Sequence, residues 1–371
     1  MNKTRIYIIT LLLLAFFFSG YYFGGRNHAS DATLLVETAN ILEKQFYKKI
    51  DVETLAKGMV NSLEDPYTVL LNPQESQMLQ EEITGTYAGI GIAISINEKE
   101  DMPEIVSVFR GTPAEKAGLR NGDIITQVDS QSTKGMTIDE FSLKVRGNIG
   151  TEVTLLIKRN EDTLSFTILR ARIEVPVVES TIIEDGKIGY IIFFTFTEGS
   201  ASKLNNEIEK MKDKGVKAII LDLRDNSGGL LSECEKVSSY FIPSGTLYWT
   251  RDRDGNMTPQ SIRGKQLNLP LCLIVNGGTA SASEIFAAAI KAYDVGKIVG
   301  EKTYGKGVIQ QIFDISEGYT LKVTIEEYLA ANKSEINGKG VIPDYEVSND
   351  SENPDEDLQL KKAIEVLLKE L

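Results

Sequence analysis

Two short stretches carry residue types that can do nucleophilic chemistry. The first, Asn276-Gly277-Gly278-Thr279-Ala280-Ser281-Ala282-Ser283-Glu284, follows an apolar run over residues 269–275 and opens an Ala-rich stretch over 285–292. A buried strand, a glycine turn and a helix that begins at a serine present a hydroxyl at the positive end of a helix dipole. Ser281 is therefore the first candidate nucleophile. The second stretch is Gly300-Glu301-Lys302-Thr303-Tyr304-Gly305-Lys306-Gly307-Val308-Ile309-Gln310, where a lysine stands between glycines just before a β-rich run. A serine is a weak nucleophile until a base takes its proton. The chain has a single histidine, His28, beside the N-terminal apolar segment. A Ser-His-Asp triad, a Cys-His pair and a His-x-x-x-His metal site are thus excluded within this chain. Lys306 is the candidate base, and Gln310 is placed to orient its amine by a hydrogen bond.

Each half has a plainer reading. Ser281-x-x-Glu284 is also a capping box, and taken alone that pattern favours the cap. Gly305-Lys306-Gly307 alone reads as an exposed turn, and Gln310 as an ordinary strand residue. Only the combination points to catalysis. A lysine accepts a proton only when neutral, and lowering an ammonium from about 10.4 to about 7.5 takes on the order of 4 kcal/mol of disfavoured charge, which burial can supply. Gly305 and Gly307 would let Lys306 approach closely under packed backbone. Acyl transfer also needs donors aimed at the oxyanion. The Ala282 amide at the helix start is one candidate. Gly228 or Gly229, in Leu221-Asp222-Leu223-Arg224-Asp225-Asn226-Ser227-Gly228-Gly229, supplies the other. The plainer reading of that turn is an anion loop or a helix cap; no Walker lysine follows it, which argues against a nucleotide.

The elements that must hold these residues alternate. Residues 187–194 read as strand, 200–214 as helix, 216–223 as a fully buried strand and 230–241 as helix. A charged β-rich excursion over 246–263, the strand into Asn276, the helix from Ser281 and strands over 308–315 and 319–327 complete an α/β core within 171–348. Upstream, residues 85–170 break into short β-rich runs (90–96, 104–108, 123–128, 152–158, 163–169) around a helical 137–145. Through Gly118-Leu119-Arg120-Asn121-Gly122-Asp123-Ile124-Ile125 this module resembles a PDZ domain. Such domains add a chain terminus as a strand to a sheet edge and receive its carboxylate on backbone amides of a glycine loop. Here the loop is Tyr87-Ala88-Gly89-Ile90-Gly91-Ile92, with Ala88, Gly89, Ile90 and Gly91 as the carboxylate-binding candidates; a β-bulge or turn is its plainer reading. Arg146 is a candidate carboxylate partner or switch toward the active site, although the sequence favours a solvated surface arginine.

At the N-terminus, residues 6–23 form an uncharged apolar run preceded by Lys3 and Arg5. The pattern favours an uncleaved single-pass anchor over 1–25, with the alternative of a secreted or periplasmic protein after signal cleavage. Both put the body outside the cytoplasm. Residues 26–84 read as two or three short helices interrupted at Asp65-Pro66 and Asn72-Pro73; they fit a bridge from anchor to body or a pairing with another chain. Residues 349–371 hold an amphipathic helix that docks on the body or on a partner. At 371 residues the chain fits two or three domains. A net charge of −13 argues against nucleic-acid binding. Cys234 and Cys272 lack metal-ligand spacing and read as small buried residues.

Taken together, several motifs resemble the carboxy-terminal processing peptidases, also called tail-specific proteases, of the Ser-Lys type. They are Asp65-Pro66-Tyr67, Gly85-Thr86-Tyr87-Ala88-Gly89-Ile90-Gly91, Arg146-Gly147 with Gly150-Thr151, and the Asp222 to Gly229 turn. The Thr279 to Glu284 segment, the Gly300 to Gly307 segment with Gln310, and Gly338-Lys339-Gly340-Val341-Ile342-Pro343-Asp344 complete the set, in the family's order over about residues 60–345. The resemblance implies an α/β (α+β) multi-domain protein with a PDZ domain on a crotonase-like serine protease core, acting outside the cytoplasm. It implies Ser281 as nucleophile, Lys306 as general base, Gln310 as the residue orienting that lysine, and no metal or organic cofactor. It also implies cleavage near substrate C-termini and a PDZ domain able to gate the site, with room for a regulatory partner and for a homo-oligomer through the terminal helices. Ser227 departs from the proline often found there, which bears on which glycine amide completes the oxyanion hole. The alternative is a catalytically silent PDZ adaptor, which the intact Ser281, Lys306 and Gln310 oppose. A crotonase-like acyl-CoA enzyme would leave the PDZ module and export segment without a role.

Overall fold

The computed structural model describes residues 28–97, 99–349 and 356–371. The expected anchor over 1–25 lies outside them; among the described residues no helix is long and apolar enough to cross a membrane. The chain divides into two units, one running to Leu71 and including Ile312–Val323, the other comprising Asn72–Gln311 and Thr324–Leu371.

In the first unit, helices α1 (His28–Gln45) and α2 (Val52–Asn61) precede the short strand β1 (Val69–Leu71). Asp51 caps α2 by accepting from the Thr54 amide at 2.7 Å. The Asp65 carboxylate accepts from the Tyr67 amide and the Thr68 hydroxyl, at 3.1 and 2.6 Å, and so shapes the Asp65-Pro66 turn. β1 pairs antiparallel with residues 320–322. Leu34, Leu35, Val36, Ile41 and Phe46 of this unit are exposed.

The second unit opens with α3 (Pro73–Thr84), whose start is a full capping box between Asn72 and Glu75. Its end turns at Gly85, in the left-handed region at φ 65°. Strand β2 (Thr86–Gly89) then pairs antiparallel with β9 (Ala171–Glu174). Between them lies the module expected from residues 85–170: β3 (Ile92–Asn97), β4 (Met102–Val108), α4 (Pro113–Ala117), β5 (Ile124–Val128), β6 (Gln131–Ser132), α5 (Ile138–Val145), β7 (Glu152–Arg159) and β8 (Asp162–Leu169). The sheet runs β3-β4-β5-β7-β8, so β3 is an end strand. Alternation in β7 buries Val153, Leu155 and Ile157 against Ile105, Ile125 and Phe141. Arg170 closes the end of α5, donating to the Lys144 and Val145 carbonyls at 3.0 and 2.8 Å.

Every residue of β12 (Ala218–Asp222) and β15 (Leu271–Val275) is buried. Uniform burial is what parallel strands covered on both faces show. The core sheet runs β10 (Val178–Ile183), β11 (Ile188–Phe193), β12, β15, β16 (Lys297–Gly300), β19 (Tyr345–Glu346), parallel from β11 onward. One face packs α6 (Ser200–Asp213), α7 (Leu231–Phe241) and α8 (Ala282–Ala292) through Leu204, Ile208, Val237, Phe241 and Phe286. α6 begins at Gly199, which has no side chain to cap it; Glu233 of α7 accepts from the Ala201 amide at 2.9 Å instead.

The other face is covered by α9 (Leu358–Leu368), whose Ala363, Val366 and Leu367 pack on Ala218, Ile220, Cys272 and Val299. The amphipathic tail therefore docks on the body. Burying Leu367 alone contributes about 2 kcal/mol. The charged excursion forms the hairpin β13 (Pro243–Arg251) and β14 (Met257–Lys265), and β13 pairs in turn with residues 327–330 of β18 (Thr320–Ala330). β17 (Val308–Asp314) carries Gln310.

Candidate active site

Ser281 stands between β15 and α8 with φ 56° and ψ −120°. A non-glycine residue there stores on the order of 1–3 kcal/mol of strain, which the surroundings must hold. They do so from the 222–229 turn. The Thr279 hydroxyl donates to the Leu223 carbonyl at 2.8 Å, and the Ala280 amide and Ser283 hydroxyl both donate to the Asn226 carbonyl at 3.0 Å. Asn276 bonds Asp225 twice, at 2.9 Å each.

Half of the capping box spelled by Ser281 and Glu284 forms: the Ser281 amide donates to Glu284 Oε2 at 2.9 Å, while the Glu284 amide donates to the Ser281 carbonyl at 2.8 Å and not to the serine side chain. Glu284 reaches further than a cap requires. Fully buried, its carboxylate also accepts from the Lys306 amide on Oε2 at 2.9 Å, from the Gly305 amide on Oε1 at 2.7 Å and from the Thr303 hydroxyl on Oε1 at 2.5 Å. Burial pushes this carboxyl above its ordinary pKa, against the pull of the four donors. The Tyr328 hydroxyl makes a second bridge, contacting the Ser281 carbonyl at 3.1 Å and the Lys306 carbonyl. The turn of the nucleophile and the loop of the lysine are thus joined by two side chains.

Both glycines beside Lys306 are obligatory. Gly305 has φ 93°, and a Cβ on Gly307 would stand 2.3 Å from the Asn337 backbone nitrogen. Lys306 itself is half-buried. Gln310, also half-buried, donates from Nε2 to the Thr324 hydroxyl at 3.4 Å.

The oxyanion candidates converge unevenly. Gly228, at φ 99°, lies so close to the serine turn that a Cβ there would stand 2.8 Å from the Ala282 nitrogen and 2.9 Å from Ser281 Cβ. Its amide, however, donates to the Asn226 side chain at 3.0 Å. Gly229, at φ 139°, lies against Phe196, whose carbonyl would be 2.7 Å from an added Cβ. Ser227 is exposed.

Arg224, just before this turn, was not singled out by the sequence. It pairs with Asp222 at 2.6 Å and with Asp357, the N-cap of α9, at 2.8 and 3.0 Å. The turn is thereby tied to the helix on the far face of the sheet. The sequence signal for Glu284 was its i+3 place after Ser281; for Tyr328 and Asp357 no local signal existed.

In the smaller module, Ala88 and Gly89 lie within β2 opposite Arg172 and Ala171. Ile90 is buried, and its carbonyl accepts from the Ala114 amide at 2.9 Å. Gly91, at φ 90°, stands at the start of the end strand β3. Arg146 is not a solvated surface residue: it pairs with Glu81 at 2.7 Å and lies over the Tyr87 ring, because α3 brings a carboxylate under the end of α5. Cys234 and Cys272 are buried free thiols, and burial pushes both up to about 12. Among the described residues no cluster of three or more His, Cys, Asp or Glu is arranged to hold a metal ion.

The family model described as Peptidase family S41 matches residues 187–347, which include the serine turn and the lysine loop, and the PDZ domain model matches residues 104–159. Over 354 residues the chain is 34% identical to a protein of Staphylococcus aureus (strain MSSA476), covering 93% of this chain and 71% of that one. The chain belongs to the S41 family of serine peptidases and carries a PDZ domain. More narrowly, it falls among the C-terminal processing type: the staphylococcal relative is described as a "Probable CtpA-like serine protease". The photosystem II D1 C-terminal processing protease is similar in structure, with a TM-score of 0.55 and 26% identity over 91% of this chain and 97% of that one. A protein of Bacteroides fragilis NCTC 9343 described as a "Putative S41 protease" shares the fold at a TM-score of 0.60 and 19% identity, over 90% of this chain and 97% of that one.

Proposed function

We propose that this peptidase binds the C-termini of protein or peptide substrates through its PDZ domain and cleaves peptide bonds near them through an acyl-enzyme on Ser281. The observation that carries this reading is the shared anchoring of the Ser281 and Lys306 amides on Glu284 Oε2. Lys306, as neutral amine, takes the Ser281 hydroxyl proton while Oγ attacks the scissile carbonyl. The Ala282 amide, with an amide of the Gly228 and Gly229 turn, faces the oxyanion. Collapse of the tetrahedral adduct expels the amine, which receives the proton from the Lys306 ammonium. Water then attacks the ester, giving its proton to the Lys306 amine, and collapse of the second adduct releases the new carboxyl end as Ser281 Oγ leaves and takes that proton back. Gln310 orients the lysine.

The body acts outside the cytoplasm, either tethered by residues 6–23 or released after signal cleavage; fractionation of cells into membrane and soluble extracytoplasmic pools decides between them. The exposed apolar residues of α1 fit a homo-oligomer, which light scattering on the purified chain would detect.

Purified Ser281→Ala and Lys306→Ala proteins should each lose peptide cleavage by about 1,000-fold or more while keeping their melting temperature, and Gln310→Ala should only impair it. Full activity in Lys306→Ala would remove the base. A serine-reactive phosphonylating reagent that labels Ser281 would exclude the silent-adaptor alternative.

A further inference from the structure

The start of α9 is bonded to both halves of the candidate active site, although the helix packs on the face of the core sheet away from α8. Its N-cap, Asp357, accepts from Arg224 Nη1 and Nη2 at 3.0 and 2.8 Å. The other edge of the same guanidinium is held by Asp222, through Nε and Nη2 at 3.0 and 2.6 Å, and Asp222 also accepts from the Arg224 amide at 3.0 Å. Arg224 leads directly into residues 225–229, the turn whose Asn226 carbonyl fixes Ala280 and Ser283. At the second residue of α9, buried Gln359 accepts from Arg224 Nη1 at 3.2 Å and donates from Nε2 to the Val347 carbonyl at 2.9 Å. The Val347 amide in turn donates to the Gly300 carbonyl at 2.9 Å. Gly300 opens the segment that carries Lys306, and it is wedged against the end of β15, where an added Cβ would stand 2.0 Å from the Val275 carbonyl oxygen.

We propose that Arg224, Asp357 and Gln359 form a clasp through which the C-terminal helix positions the chemistry at Ser281. Asp357 and Arg224 set the 225–229 turn, and Gln359, through Val347, sets the start of the lysine loop. All three are positioning residues, since none contacts Ser281 or Lys306. The clasp presupposes the acyl-enzyme chemistry proposed above.

A helix that only covered apolar surface would need none of these bonds. Ala363, Val366 and Leu367 already pack on that face, and the Leu360 amide at 3.0 Å is enough to make Asp357 a cap. Desolvated ion pairs are a poor source of net stability, because the cost of removing charge from water offsets their attraction. What a guanidinium between two carboxylates supplies is register. Its planar fork bonds one carboxylate along each edge, so Asp357 and Asp222 are held at a fixed separation that an ammonium could not impose. Without Asp357, Arg224 is left to Asp222 alone, and the chain that enters the 225–229 turn loses its fixed point on α9. Reacting groups and oxyanion donors tolerate little displacement, with about 1 Å costing on the order of 100-fold in rate.

The test compares full-length Asp357→Asn, Arg224→Lys and Gln359→Met with Leu367→Ala, which loosens α9 from its apolar side and leaves the clasp intact. Cleavage of a fluorogenic peptide and the rate at which a fluorophosphonate labels Ser281 are measured well below each variant's melting temperature. In Asp357→Asn and Arg224→Lys, kcat and the labelling rate should fall together by about 10-fold, and in Gln359→Met by about 5-fold, with KM within about twofold of the parent. Combining Asp357→Asn with Arg224→Lys should cost no more than the worse of the two, because members of one network do not add. Leu367→Ala should melt at least as far below the parent as Asp357→Asn does and keep kcat within about twofold. A kcat within twofold of the parent in Asp357→Asn, or an equal loss in Leu367→Ala, overturns the clasp. Should Arg224→Lys not fold, the near-isosteric Asp357→Asn and Gln359→Met carry the comparison. A parent protein that neither cleaves the peptide nor takes the label overturns the acyl-enzyme reading itself, and the clasp with it.

Discussion

Ser281 and Lys306 donate their backbone amides to the same oxygen of Glu284, each at 2.9 Å. The two nitrogens therefore lie within twice that distance of each other, whatever their side chains do. A single carboxylate oxygen sets the spacing of a nucleophile's turn and a base's loop.

Replacing that carboxylate by its amide tests the arrangement. Glu284→Gln keeps the volume but turns one oxygen into an amide group that faces N–H donors. We expect kcat to fall by about 100-fold with KM little changed, since small misplacements of reacting groups carry that penalty. Stability should drop by about 1–3 kcal/mol for the stranded donors. Steady-state kinetics with calorimetry checks both, and a kcat within twofold of the parent would refute the positioning role.

Gly228 offers a steric test. Its positive φ and the 2.9 Å approach of an added Cβ to Ser281 Cβ predict that Gly228→Ala displaces the serine turn and costs about 100-fold or more in kcat. Gly255, at φ 84° with nothing within 4 Å of an added Cβ, is the control. Gly255→Ala should cost about 1 kcal/mol in stability and leave turnover alone. Equal kinetic damage from both would show that backbone strain, and not crowding of Ser281, is responsible.

Asp357 supplies a pH test. Burial works against its charge, yet hydrogen bonds from Arg224 and the Leu360 amide hold its carboxyl below the usual aspartate range. A depressed carboxyl contributes stability that is present above its unfolded pKa, about 3.9, and is lost as pH falls through the lower folded value. The melting temperature of Asp357→Asn should therefore trail the parent most near neutrality, and the gap should close as pH drops below about 4. A gap that widens toward acid would contradict the Arg224 pairing.

How far the sequence spoke depended on how local each signal was. The apolar run before Asn276 and the Ala-rich stretch after Ser281 announce a strand, a turn and a helix, and the structure has β15, the strained Ser281 and α8 there. The short β-rich run over 152–158 is likewise a strand, β7, in which Val153, Leu155 and Ile157 are buried. Glu284 read as half of a cap because the i+3 spacing is all that one segment displays; three of its four donors come from residues 303–306, far along the chain. Arg146 and Glu81 lie in separate elements that only folding brings together, so their pairing left no pattern to read. The α9 stripe said that a partner surface existed, and only the bare second face of the sheet says which. The Gly228 amide looked available because its acceptor is a side chain two residues back, whose direction spacing cannot specify.

The closing of that second face by α9 has an outcome for biosynthesis. Strands β11, β12, β15 and β16 are made well before residues 358–368, so on a growing chain one side of their sheet is wet and Arg224 has no Asp357 to hold. Until α9 is made, the turn beside Ser281 lacks the Arg224 to Asp357 tie that links it to the helix on that face.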